Sequence, residues 1–239
     1  MKKKGIALVE RQYLFPFVLI TSLFFLWGFA HAILDVLNKH FQELLTITRT
    51  HSAMIQATMY MGYFIMAIPA GLFINRHGYR KGVVLGLLLY GIGSLLFIPG
   101  QYIASFNMFL FSLFVIGCGL TFLETAANPY VTELGARETA ASRLNFAQSF
   151  NGLGCIFAPI LTGLLLFSDE DKGASGNVAL PYAVMGVIVL LAALAFMRVR
   201  LPEIPHEEEV DSEGHRVGLW AHKLFVFGLV ALFAYEVSE

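Results

Sequence analysis

The sequence predicts an all-α membrane protein: a bundle of six transmembrane helices followed by the start of a seventh. Three observations lead there. Of 239 residues, 57% are hydrophobic and 14% charged, with a mean hydropathy of +0.68, whereas soluble domains run nearer half apolar and a quarter charged. That excess cannot be hidden inside one soluble core of this size, because too much area would face water. The apolar residues also gather into runs of about 20, the length that crosses the hydrocarbon core of a bilayer. Soluble enzymes, nucleic-acid binders and secreted disulfide scaffolds are excluded together. A net charge of −1 supplies no global field for phosphate backbones. Cys118 and Cys155 both lie in apolar runs and read as free buried thiols.

The predicted spans cover roughly 14–37, 52–74, 82–99, 105–129, 145–167 and 180–199. A seventh begins near Leu224 and reaches Glu239, about 16 residues, too short to cross comfortably. Lysines and arginines in the loops orient the bundle. With the N-terminus inside, thirteen of the sixteen fall on inner segments; only Lys39, Arg49 and Lys172 fall outside. The expected location is therefore the inner (plasma) membrane, multi-pass, with a cytoplasmic N-terminus. Lys2 to Arg11, the following apolar run and Ala30-His31-Ala32 mimic a cleavable signal peptide. The run is as long as a full span, however, and more spans follow. The domain division is residues 1–200 as the six-helix bundle, 201–221 as a polar cytoplasmic linker and 222–239 as the start of a second bundle. Pro202, Pro205 and the acids Glu207, Glu208, Glu209, Asp211 and Glu213 mark the linker.

Function is sought in the polar residues inside spans. A carboxylate at mid-bilayer costs about 2.5–3.5 kcal/mol to insert, so it persists where it meets a cavity, a partner or a proton. Asp35 in the first span and Glu124 in the fourth are the two cases. Helical spacing puts Gly28, His31 and Ala32 on the Asp35 face with Asn38 a turn further on, and Trp27 beside them. Thr121 and Asn128 share the face of Glu124. In the fifth span Asn145, Gln148 and Asn151 fall within one 120° arc at 100° per residue, and three amides on one side are poor company for lipid tails. The second span adds Gln56, Tyr60 and Tyr63 on a shared face, while Gly82 and Gly86 suit close helix packing. Carboxylates and amides can pair with vicinal hydroxyls, aromatic faces stack on the C–H faces of a sugar ring, and a carboxyl in a low-dielectric hollow can hold and release a proton. This chemistry suits proton-coupled transport of a neutral polyol. It names no particular sugar, and no nucleophile motif such as G-x-S-x-G or metal motif such as H-E-x-x-H supports an intramembrane enzyme.

Two motifs then carry a family resemblance. Glu124-Thr-Ala-Ala-Asn-Pro129-Tyr-Val-Thr is followed by Arg143-Leu-Asn145-Phe-Ala-Gln148-Ser-Phe-Asn151, and the first helix adds Leu26-Trp27 through Asp35. With them the chain resembles the sugar/proton symporters of the major facilitator superfamily, in the fucose and glucose/galactose branch. Gly71-Leu-Phe-Ile-Asn75-Arg76-His-Gly78-Tyr-Arg80-Lys81 resembles the superfamily's short cytoplasmic signature, with Asn75 where an aspartate is common. The resemblance implies twelve helices in two bundles with substrate held between them. It implies proton coupling at Glu124 and Asp35, and sugar binding by those two together with Gln148 and Asn151. Asn145, Gln56, Tyr60, Trp27 and His31 are further candidate sugar contacts. The cytoplasmic signature, Gly71, Asn75, Arg76, Gly78, Arg80 and Lys81, is the candidate gate. No cofactor or metal is expected, only H⁺ as the coupling ion. The expected partners are a small sugar (L-fucose or a glucose/galactose-like hexose), the lipid bilayer, and either a missing C-terminal bundle or a second copy of the chain. The expected activity is symport by alternating access from an N-terminal half, with a homodimer of half-transporters or an inactive fragment as the other readings of the same length.

Overall fold

The computed structural model describes residues 8–44, 49–103, 105–167, 179–199 and 223–238; within α1, the side chains of Asp35 and of residues 37–44 lie outside the description. The described residues fold into helices: α1 (Leu14–Leu44), α2 (Arg49–His77), α3 (Tyr79–Leu95), α4 (Phe97–Ile103), α5 (Phe106–Glu133), α6 (Ala140–Phe167), α7 (Ala179–Arg198) and α8 (Lys223–Ser238). The chain divides into two compact units, Met1–Ile204 and Pro205–Glu239. The first holds α1 to α7; α8, 16 residues long, is the described helix of the second. The linker at 201–221 lies outside the described residues.

Every predicted span but the third corresponds to one helix, and most helices overrun their spans at one or both ends. α1 has 31 residues, about 46 Å at 1.5 Å per residue. The third span is two helices in series, α3 and then α4, which together form a mostly apolar stretch of 25 residues from Tyr79 to Ile103. α5 starts from a capped end, where the Ser105 hydroxyl accepts from the Met108 amide at 3.4 Å. Among the described residues, five stretches are long and apolar enough to cross a membrane. α6, the helix of the predicted fifth span, has 28 residues and carries Asn145, Gln148 and Asn151 in its first half.

Helix pairing follows from small residues. Without a hydrophobic drive between helices in lipid, close backbone approach supplies the packing energy. α1 packs chiefly on α6, and α5 takes the middle of the unit with α2 and α3 on its flanks; α7 closes on α3. At the α1–α6 crossing, a Cβ on Gly28 would collide with the backbone of Asn151, and one on Gly154 with the carbonyl of Phe25. Where α2 crosses α5, a Cβ on Gly62 would stand 2.7 Å from the Phe114 carbonyl oxygen. Gly86 serves close packing as expected, since a Cβ there would lie 2.9 Å from the Gly119 carbonyl oxygen of α5. Leu120, Leu123, Ala126 and Val131 of α5 are fully or nearly fully buried, as are Ile20 and Leu23 of α1 and Val83 and Leu87 of α3. Both cysteines are free thiols, and one departs from the expected burial. Cys118 is buried, whereas Cys155 is exposed although its thiol donates to the Gly28 carbonyl of α1 at 3.4 Å.

Two arginines tie the helix ends. Arg143 is wholly buried, and its guanidinium donates to the carbonyls of Val131 (3.0 Å), Thr132, Ala136 (3.0 Å) and Leu8 (3.3 Å) and to the Thr139 hydroxyl (2.7 Å). A buried cation is tolerated when its donors are met in this way. It joins the end of α5, the turn into α6 and the segment before α1. Arg80, at the start of α3, donates from Nε to the Phe196 carbonyl at 3.2 Å and also bonds that of Met197, placing a cation on the negative end of α7.

Gly28→Ala is expected to destabilise the bundle by about 1–3 kcal/mol, the usual range for overpacking, because the atom it meets is backbone. Gly71→Ala, where nothing lies within 4 Å of the added Cβ, should instead be neutral or stabilise by up to about 1 kcal/mol. Thermal unfolding of both variants in one detergent checks the contrast.

Candidate functional site

Three of the predicted site residues, Trp27, His31 and Tyr60, form one aromatic corner with Tyr63 between α1 and α2. The indole Nε1–H of Trp27 donates to the Tyr63 hydroxyl at 3.0 Å. His31, one turn along α1, donates from Nδ1 to the Trp27 carbonyl at 3.1 Å, which fixes the hydrogen on that nitrogen because a carbonyl can only accept. The His31 ring meets Trp27 edge-on with centroids 5.8 Å apart and lies 5.9 Å from Tyr63. Tyr60 follows at 6.3 Å from Tyr63 and is exposed. Tyr63 links the members, and it was seen in the sequence only as one of a face of three. What the sequence could not show is that its hydroxyl fixes the Trp27 ring. A buried indole N–H needs an acceptor, and this cross-helix pair supplies it.

Glu124 is half-buried on α5, which packs against the Tyr63 helix at Gly62. It lines a crevice of about 10 Å³ with Leu23, Phe24 and Trp27 of α1 and Leu123, Ala127 and Asn128 of α5. Thr121, expected on the Glu124 face, is buried and donates its hydroxyl at 2.8 Å to the Gly117 carbonyl of its own helix, so it is engaged locally. On α6, Gln148 and Asn151 are half-buried and Asn145 is exposed. The tight α1–α6 crossing at Gly28 sets Asn151 against the residue next to Trp27. The structure thus brings Trp27, His31, Tyr60 and Glu124 to one region of α1, α2 and α5, with Asn151 held at its α6 edge. Gln56 is exposed a turn before Tyr60 on α2. The Asp35 backbone continues α1 beyond His31, but its side chain lies outside the described residues, as does that of Asn38.

The signature residues sit apart from this corner. Asn75, Arg76 and Lys81 are exposed, Gly71 is half-buried on α2, and Gly78 makes the α2–α3 turn with φ of +85°, a conformation that favours glycine. Arg80 holds the end of α7. A larger hollow of about 400 Å³ lies between α4 and α7, lined by Ile98, Gln101, Tyr102, Ala179, Leu180 and Ala183. It includes none of the predicted site residues, and Gln101 accepts there from the Ala179 amide at 2.8 Å, capping α7. The smaller crevice is the chemical one, because it holds the intramembrane carboxyl.

Comparison with known proteins bears on what such a site does. The family model of the Major Facilitator Superfamily matches residues 17–237. A glucose/galactose transporter of Brucella abortus biovar 1 (strain 9-941) is 36% identical over 234 residues, covering 96% of this chain and 57% of that protein. An L-fucose-proton symporter of Haemophilus influenzae is 38% identical over 224 residues, covering 84% of this chain and 52% of its own length. The crystal structure of FucP, a transporter of the same superfamily in the outward conformation, superposes with a TM-score of 0.69 at 35% identity, over 92% of this chain and 56% of that one. The chain spans about half the length of the curated relatives it matches.

Tyr63→Phe is expected to leave the helices assembled while releasing the Trp27 indole, at a cost of about 0.5–1.5 kcal/mol for one hydrogen bond. In a Trp220→Phe background, where Trp27 is the remaining tryptophan, its emission should move to shorter wavelength; an unchanged spectrum would contradict the bond.

Proposed function

The chain belongs to the Major Facilitator Superfamily, and from that premise we propose that it forms the N-terminal bundle of a proton-coupled monosaccharide symporter of the inner membrane, with its N-terminus in the cytoplasm. The observation that carries the reading is Glu124: an intramembrane carboxyl in a crevice walled by Trp27, whose indole is held by Tyr63. Aromatic rings present flat apolar surface to the C–H face of a sugar, and amides and a carboxyl present paired hydrogen bonds to its hydroxyls. Gln148 and Asn151 on α6 supply the amides, with Asn145, Gln56, Tyr60 and His31 around them. L-fucose or a glucose/galactose-like hexose is the substrate class, by analogy with the named activities of the relatives at 36% and 38% identity.

The mechanism is alternating access about a midplane site between two bundles. A C-terminal bundle, or a second copy of this chain, closes the site from the other side. Glu124 takes up a proton from outside and bonds the sugar, and its deprotonation on the inner side releases both. Asp35, further along α1, acts as relay or gate, and the signature around Gly71, Asn75, Arg76, Gly78, Arg80 and Lys81 governs the cytoplasmic mouth. One charge moved across about 100 mV is worth about 2.3 kcal/mol, which supports about 50-fold accumulation from the potential alone.

In proteoliposomes carrying the complete transporter, Glu124→Gln is expected to keep exchange of labelled sugar across the membrane and to lose uphill accumulation under an imposed pH gradient. Accumulation equal to that of the unaltered protein would refute the role. Native mass in detergent, read alongside, separates a single chain from a pair.

A further inference from the structure

Asn128 is one helical turn beyond Glu124 on α5, and helix neighbours at this spacing lie side by side. Both line the same crevice, whose volume of about 10 Å³ is about that of one water-sized group. The Asn128 Oδ1 atom is buried and has no hydrogen-bond partner among the described residues. Leaving such an acceptor unmet costs about 1–3 kcal/mol. Five other residues line the crevice: Leu23, Phe24, Leu123 and Ala127 bring no side-chain donor, and the Trp27 N–H is already given to Tyr63. The donor that remains is Glu124 itself. An ionised carboxylate only accepts, but a protonated one carries one O–H to give.

We infer that Asn128 is the hydrogen-bond acceptor for Glu124 in its protonated form, so that the neutral carboxyl closes the crevice onto the Asn128 oxygen and the ionised one parts from it. When the proton leaves to water, the carboxylate and Oδ1 are two acceptors with no hydrogen between them, so the carboxylate turns from that oxygen. It turns toward donors, which are the Asn128 NH2 and, in the proposed carrier, sugar hydroxyls and the α6 amides. Asn128 is a positioning residue: it makes the direction in which Glu124 points depend on the proton. Among the described residues, the titratable groups at this level on the elements packed against α5 are Tyr63 and, behind it, Tyr60 on α2, His31 on α1 in contact with Tyr63, the buried Tyr90 on α3, and the Cys155 thiol on α6, which donates to the Gly28 carbonyl; α6 also brings Gln148 and Asn151. This inference rests on reading Glu124 as the proton-handling group, but its test does not require transport.

The experiment uses the 239-residue chain in lipid nanodiscs. Infrared difference spectra between acid and alkaline buffer isolate the Glu124 carboxylic C=O stretch as the band lost in Glu124→Gln. In Asn128→Leu, close in size but without the amide, that band should move to higher wavenumber, as for a carboxyl deprived of its hydrogen-bond partner. An unmoved or lowered band overturns the inference. Should Asn128→Leu fail to assemble, the Asn128 side-chain amide resonance of the unaltered chain, assigned by its loss in Asn128→Asp, gives a second reading. It should shift with pH, and the shift should vanish in Glu124→Gln; a resonance indifferent to pH overturns the inference. A chain that shows the band shift yet lacks sugar transport in the assembled carrier supports this pairing and refutes the symporter reading, so the two fail separately.

Discussion

Inside hydrocarbon a polar group has no water to fall back on, and every feature of this bundle answers to that condition. Backbone amides and carbonyls are met within helices, which is why the described residues of the first unit are almost wholly helical. Side-chain polar groups must then be met between helices or gathered around a hollow. Trp27 finds Tyr63, Tyr90 reaches the Leu26 carbonyl at 3.4 Å, and Thr121 folds back on Gly117. Once these are paired, few groups remain uncommitted. Glu124 and the Asn128 oxygen stand in the same crevice, and the site is defined as much by what its neighbours have already bonded as by what it contains.

The same condition explains where the cations lie. Lysine and arginine are excluded from the apolar middle, so the ones that matter structurally work at helix ends. Arg143 gathers carbonyls from the end of α5 and the turn before α6, and Arg80 those at the end of α7. Those carbonyls are the acceptors a helix terminus leaves over, and a guanidinium with five donors meets several at once. A lysine at position 143 would supply a point charge with three donors and could not hold both the α5 end and the Leu8 carbonyl in the same geometry. Arg143 lies one turn or two before the amides of α6, so the register of Gln148 and Asn151 is set from that end.

Much of this was legible in the residues. The spans are read from apolar run length, and the close crossings from Gly86 and its like, because both depend on composition along one helix. Glu124 stood out because a charge in a span is costly wherever the helix ends up. What could not be read are facts about pairs of helices. Nothing in the spacing of Trp27 and Tyr63 says that their polar atoms meet at 3.0 Å, since they are 36 residues apart and the meeting is set by how α1 and α2 lie. Thr121 has the right spacing to serve Glu124, yet the carbonyl four residues back competes for its hydroxyl and wins by proximity. Cys155 sits in an apolar run, but apolar sequence in a membrane helix does not distinguish a lipid-facing edge from a buried one, and it proves exposed. The extra turns at the helix ends were missed because interfacial residues such as Lys39, Arg76 and Thr132 are polar enough to end an apolar run without ending a helix.

The glycine contacts constrain how a carrier built on this bundle could move. At Gly28 and Gly154 the backbones of α1 and α6 are separated by no side chain, and parting them would open a void along two glycine surfaces that lipid tails cannot fill closely. Trp27 and Asn151 flank that crossing, so the aromatic and amide parts of the site travel together. The α2–α5 crossing at Gly62 and Gly117 binds Tyr63 to the Glu124 helix in the same way. Opening the site by separating these helices from one another would sacrifice the tightest packing in the unit. Motion of the bundle as one body against whatever faces it preserves every one of these contacts. In the proposed carrier, then, access changes by rocking of whole bundles, and the only local movement the packing leaves free near the site is the swing of a side chain such as Glu124.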